Sequence, residues 1–272
     1  MKILYTKTNK GRRKETFIIL AHPRSGSTWL SNTLKLHPHI ECLYEPFNGQ
    51  RWGEKFHRIL RQKGPSAVFN KIRSLSTRDN IRHYGCKHLI NQSNNNHDNV
   101  LLASYSDVII LLTRINTSAA VSFFRSLKVD SWHFYNWNNV IVNETWPTVL
   151  EKRMANEQIN DGIITRDKNN LHQLQNAKMI IKISKIRNFL LKTRHDFAFL
   201  KRFLKQKDKC VIDLTYDKLF SNTKKYIKKI CHELGEKPHN AYSSEIKTMI
   251  DYNWLVNKDE INEALGEEFG YL

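Results

Sequence analysis

Short apolar runs recur along the chain, at residues 17–20, 39–44, 84–90 and 108–112 and again from Cys210, each closed by polar or turn-forming residues. Runs of this length with β-branched character read as strands buried on both faces. Between them the apolar positions take helical spacing. Residues 29–36 predict a first helix, residues 53–76 two basic amphipathic helices around Gly64-Pro65, and residues 118–128 another. In residues 151–206, Ile186, Phe189, Leu190, Phe197, Leu200 and Leu204 make one buried face, and residues 223–234 form a helix stopped by Gly235. The polar stretch 91–98 reads as a surface loop, 179–183 fits strand or helix, and the tail 240–272 carries two short helical patterns. Strands alternating with helices imply an α/β fold: a central parallel sheet of four or five strands flanked by helices.

One stretch carries candidate chemistry. In TFIILAHPRSGSTWL, residues 16–30, a buried strand runs into a polar turn that opens a helix. That P-loop-like arrangement suits phosphate, because the first-turn N–H groups and the helix dipole both face the anion. Gly26 lets backbone approach closely, Ser25, Ser27 and Thr28 supply hydroxyls, and Arg24 supplies a fixed fork of charge. The same residues would also make an ordinary capped turn. The turn is not a Walker A loop, having no G-x-x-x-x-G-K-[ST] pattern.

Composition narrows the partners. The 272 residues suit a single domain over 1–272, with 40% hydrophobic content enough for a sizeable core. Forty-four Lys and Arg against 26 Asp and Glu, a formal net charge of +18, imply an anionic partner: nucleic acid, a membrane surface or a multiply charged small molecule. Cys42, Cys86, Cys210 and Cys231 are widely spaced and read as thiols of a reducing compartment. No apolar run has the length of a membrane span and the basic N-terminus lacks a signal-peptide core, so the expected location is cytoplasmic.

HPRSGSTWL resembles the 5′-phosphosulfate loop of sulfotransferases, P-[KR]-[ST]-G-[ST]-T-W. Three further segments agree. Arg114 at the end of the 108–112 strand, followed eight residues on by Ser122, resembles the family's 3′-phosphate site. Tyr216-Asp217-Lys-Leu219 resembles its V-x-Y-E-D-L segment, and the strand–helix pair ending in Leu234-Gly235 is similar too. Arg24 stands where many relatives have Lys, and no K-x-x-x-G-x-x-G-x-W-K segment is present. The absence of that segment favours the bacterial carbohydrate branch, of nodulation-factor and trehalose type.

The resemblance implies transfer of a sulfuryl group from 3′-phosphoadenosine 5′-phosphosulfate (PAPS) to a hydroxyl of a carbohydrate or glycolipid, with no metal. Arg24, Ser25, Gly26, Ser27, Thr28 and Trp29, with Arg114 and Ser122, would hold the donor, Trp29 flanking the adenine. Glu45 by position alone is a turn carboxylate, which Pro46 would hold extended; the carbohydrate branch makes it the base, with a pKa raised by desolvation. His88 reads as a loop or structural histidine, and the small-molecule branch makes it the base instead. The aromatic-rich, helical region 130–206 serves either core packing or the acceptor. The acceptor's identity and the oligomeric state have no portable motif. The +18 charge also fits contact with a membrane surface, and the competing classes are a P-loop-type nucleotide kinase and a nucleic-acid-binding protein.

Overall fold

The computed structural model describes residues 14–93, 96–128, 178–207, 209–239, 252 and 254–272. They fall into two compact units, the first spanning residues up to 115 and 191–248 and the second residues 116–190 and 249–272. Most of the region expected to bind an acceptor lies outside the described residues.

The first unit is an all-parallel five-stranded sheet of order β2-β3-β1-β4-β5, made of β1 (Thr16–Ala21), β2 (Ile40–Tyr44), β3 (His83–Leu89), β4 (Val108–Thr113) and β5 (Cys210–Thr215). Helices join the strands: α1 (Ser27–Lys35), the single-turn α2 (Gly49–Trp52), α3 (Lys55–Leu75) and α4 (Asn96–Tyr105). After β5 come α7 (Tyr216–Ser221) and α8 (Thr223–Leu234). As the sequence predicts, 53–76 is broken at Gly64, whose φ of 76° and ψ of 179° interrupt α3 before Pro65. The expected loop at 91–98 differs: α4 already begins at Asn96.

The central strands β1 and β4 are apolar because both faces of the sheet are covered there. Phe17 to Ala21 and Val108 to Leu112 are fully buried. Alternation sends Phe17, Ile19 and Ala21 to the face packed by Leu30 and Leu34 of α1 and Ile227, Ile230 and Leu234 of α8. Each such side chain contributes roughly 1.5–3 kcal/mol by leaving water. The other face packs against α3 and α4, which bury Val68, Phe69, Ile72 and Leu102.

In the second unit, α5 (Thr117–Lys128), the first turns of α6 (Ile183–Lys205) and α9 (Lys258–Phe269) are the helices. Phe123 stacks on Phe189 with ring centroids 4.7 Å apart. Residues 179–183 form a bridge, Met179 with Leu255, and the Asn257 amide brackets Ile181 by donating to its carbonyl (2.9 Å) and accepting from its N–H (3.2 Å).

In open parallel sheets, ligands bind beyond the carboxyl ends of the strands, where the strand order reverses. Here β1 connects toward β2 and β4 toward β5, in opposite directions, so the reversal lies between β1 and β4. Both the 22–26 turn and Arg114 lie at that point.

Candidate active site

β1 ends at Ala21 and the chain turns through His22-Pro23-Arg24-Ser25-Gly26 into α1. Gly26 caps the helix in the left-handed region (φ 82°), and no side chain caps the first turn. A Cβ at Gly26 would lie 2.7 Å from the Phe220 ring, so glycine is required both by conformation and by the close approach of α7. The turn's start is anchored inside the protein: His22, 2% exposed, lies 3.6 Å from Asp196 of α6. Burial lowers the His22 pKa, against the opposing pull of that carboxylate. Ser25 Oγ is buried and has no hydrogen-bond partner among the described residues. An orphaned hydroxyl in a turn at an uncapped helix N-terminus is a place for an acceptor from outside the chain.

Two guanidinium groups sit beside the turn. Arg114, one residue past β4, donates from Nη1 to the Arg24 carbonyl at 3.2 Å and lies 4.0 Å over the Tyr216 ring. Burial and then the Arg114 charge lower the pKa of Arg24. Like charges held this close favour an anion between them. Arg24 (φ 65°) and Glu45 (φ 43°) are the non-glycine residues with left-handed backbone among the described residues. Such conformations cost about 1–3 kcal/mol each and concentrate at functional sites.

Glu45, directly after β2, is 6% exposed. The extended conformation expected before Pro46 is overridden, because the chain turns there: the Asn48 N–H donates to the Glu45 carbonyl (3.0 Å) and the Glu45 N–H to the Lys87 carbonyl (3.0 Å). Its carboxylate pairs with the Lys87 ammonium and accepts from Asn48 Nδ2 at 2.9 Å and Gln92 Nε2 at 2.7 Å. The raised pKa expected of a base is also not found. Burial pushes the carboxyl up, but the Lys87 charge and these hydrogen bonds outweigh it and hold the group at about 2.

Lys87 joins this carboxylate to the first turn of α1. Nζ donates to Thr28 Oγ1 at 2.8 Å and lies 3.9 Å over the Tyr44 ring, and Tyr44 OH is 3.2 Å from Thr28 Oγ1. The lysine is 2% exposed, and although burial lowers its pKa, Glu45 and Tyr44 raise it further, so it stays charged. Sequence reasoning missed Lys87, Tyr44, Asn48 and Gln92 as site residues. The available signal was a lysine inside a strand read as buried, which needs a buried partner. The partner is found only from the pairing of β2 with β3, which puts Tyr44 opposite Lys87.

His88 does not join the cluster. Consecutive strand residues face opposite ways, and His88 packs against Phe47 with Nε2 2.7 Å from Asn99 Oδ1. Complete burial lowers its pKa to about 4. It is a neutral, enclosed ring, which is the structural reading of this histidine. Trp29 packs against Phe220, ring centroids 5.0 Å apart, on the edge of the core. Ser27 is buried in the first turn of α1, and Ser122 lies on α5, in the second unit.

Chemically, the site brings two interacting guanidinium groups, an orphaned hydroxyl and an uncapped helix N-terminus to one turn, with an ionised carboxylate one lysine away. Among the described residues no helix is long and apolar enough to cross a membrane. No family model matches the chain, and no curated protein does. Among solved structures it is similar to mouse sulfotransferase SULT7A1 complexed with PAP, at 16% identity and TM-score 0.39 over 85% of this chain, which spans 62% of the mouse protein's length. It is also similar to the sulfotransferase domain of the Synechococcus PCC 7002 olefin synthase, at 16% identity and TM-score 0.42 over 98% of this chain and 92% of that domain.

Proposed function

We propose that the protein is a sulfotransferase that moves a sulfuryl group from PAPS to an acceptor hydroxyl, the acceptor being a carbohydrate or glycolipid. The observation that carries this reading is the Thr28–Lys87–Glu45 chain at the uncapped N-terminus of α1. It sets a cation and a carboxylate against the PRSGSTW turn. The donor's 5′-phosphosulfate would sit on the N–H groups of residues 25–28, with the Ser25 hydroxyl and Arg24 as further donors. Arg114 would meet the donor's 3′-phosphate.

In the reaction the acceptor oxygen attacks sulfur. The S–O bond to the 5′-phosphate breaks, its electron pair leaves on the phosphate oxygen, and the hydroxyl proton passes to Glu45. Lys87 and Arg24 stabilise the charge that grows on the leaving oxygen. A phosphosulfate arriving at Thr28 also competes for the Lys87 ammonium. Drawing that ammonium away removes the main partner holding Glu45 at about 2, and its pKa rises toward a useful base.

The test is calorimetric titration with adenosine 3′,5′-bisphosphate, ATP and an oligonucleotide. The bisphosphate is expected to bind at least about tenfold more tightly than ATP, which lacks the 3′-phosphate. Arg114→Ala should weaken only the bisphosphate, by about tenfold to a hundredfold, as for loss of a charge-assisted contact. Equal binding of bisphosphate and ATP removes the proposal in favour of a kinase-like nucleotide site. Tight, steeply salt-dependent binding of the oligonucleotide alone removes it in favour of nucleic acid.

A further inference from the structure

We propose that His37, His39 and Glu236 form a transition-metal site, suited by its donors to zinc(II), at the amino end of β2, the opposite end of the strands from the 22–26 turn. His37 and His39 sit between α1 and β2, and Glu236 follows α8. One ligand atom from each lies within 4.8 Å of the others, so a small closing movement of the side chains would bring all three onto an ion with bonds of about 2.0–2.2 Å. The donors are two imidazoles and a carboxylate, the nitrogen–oxygen set that zinc takes with three protein ligands and an open position.

The surroundings are arranged as an outer shell would be. Glu236 Oε1 accepts from His83 Nε2 (2.9 Å) and lies 3.5 Å from Arg82 Nη1, which turns Oε2 toward His39 Nδ1 at 3.0 Å. His37 Nε2 meets the Lys237 carbonyl at 3.0 Å, fixing the ring so that Nδ1 carries the lone pair. That lone pair now accepts the His39 N–H at 3.1 Å, a bond the ion would replace. Orientation of a ligating ring through its other nitrogen is the usual support of a metal-bound histidine. The segments read H-P-H and E-K-P-H, and the second adds His239, whose ring centroid is 6.1 Å from that of His37.

Such an ion would tie the end of α8 to the start of β2, and metal binding would appear as thermal stability. The inference rests on no part of the sulfuryl-transfer reading, since the site and its readouts involve neither donor nor acceptor.

The experiment uses the full chain, free of any histidine tag and stripped with a chelator. Zinc binding is measured by competition with a chromophoric chelator, geometry by the visible spectrum of the cobalt(II) form, and melting temperature with and without zinc. One equivalent should bind with Kd of about 1 μM or tighter, raising the melting temperature. His39→Gln and Glu236→Gln should each weaken binding by at least about 10–100-fold, the usual cost of losing even a ligand's supporting partner. His39 is part-exposed and its substitution leaves His83–Glu236 intact, so that variant tests the site even if Glu236→Gln folds poorly. Binding unchanged in His39→Gln, thiolate–cobalt charge-transfer bands showing cysteine ligands, or no stoichiometric binding would overturn the proposal.

Discussion

Lys87 and Glu45 are each nearly buried and each is the other's main partner, so neither can be removed alone without leaving a charge behind. Breaking one side of such a pair costs about 3–5 kcal/mol, whereas replacing both is far milder. Glu45→Gln and Lys87→Met should therefore each lower stability by that amount. The double variant should lose less than either, a coupling that urea unfolding of the four proteins measures. Activity should behave differently. Glu45→Gln is expected to lower turnover by roughly 10²–10⁴-fold as the loss of a base, and the stability rescue in the double variant should restore none of it. A double variant with recovered turnover would show that the pair only holds the fold.

The strand–turn–helix element depends on what packs behind it. Gly26 takes φ 82° and faces Phe220 of α7, while Tyr216 of the same helix supports Arg114. Gly26→Ala should cost about 1–2 kcal/mol from the left-handed backbone, more from the contact with Phe220, and weaken nucleotide binding. Pairing it with Phe220→Leu should recover the contact portion alone, as seen in thermal melts of the two variants. Unchanged stability in Gly26→Ala would mean the turn relaxes freely and is no rigid cradle. The turn itself was legible from HPRSGSTWL, as were all five strands: β1 and β4 because strands buried on both faces are apolar, the others from shorter apolar runs closed by turn-forming residues. The α4 helix was not, since Asn96-His-Asp-Asn99 hides it: Asn99 is buried as a partner of His88, and its polarity reads as loop. The order of the strands was not legible either, and with it went the meeting of Lys87 with Glu45, which depends on β2 and β3 being neighbours.

For the molecule as a whole, the titratable groups predict an acid-sensitive fold. His88 has a folded pKa of about 4, below the ordinary value of 6.5, so the unfolded chain takes up its proton first as pH falls. Its contribution is full above 6.5 and is lost between 6.5 and about 4, amounting to roughly 3 kcal/mol. Glu45, Asp196 and Glu236 are held at about 2, so theirs is present above the ordinary carboxylate range and lost as pH falls toward 2. Unfolding free energy followed against pH should fall in two stages, one beginning near 6.5 and one below about 4.5. His88→Gln should flatten the first stage only. A single stage confined to the carboxylate range would show that the buried histidines do not couple to folding.

On the proposed sulfuryl transfer, the lysine lodged between Thr28 and Glu45 has a consequence for the timing of the reaction. Before any donor arrives, the carboxylate already has its counterion, and a hydroxyl entering the site meets no group ready to take its proton. Activation is then conditional on the donor, which makes donor-first, compulsory-order kinetics the expected pattern. Initial-rate patterns with a dead-end acceptor analogue would read this directly: random order would mean that the base stands ready without the donor.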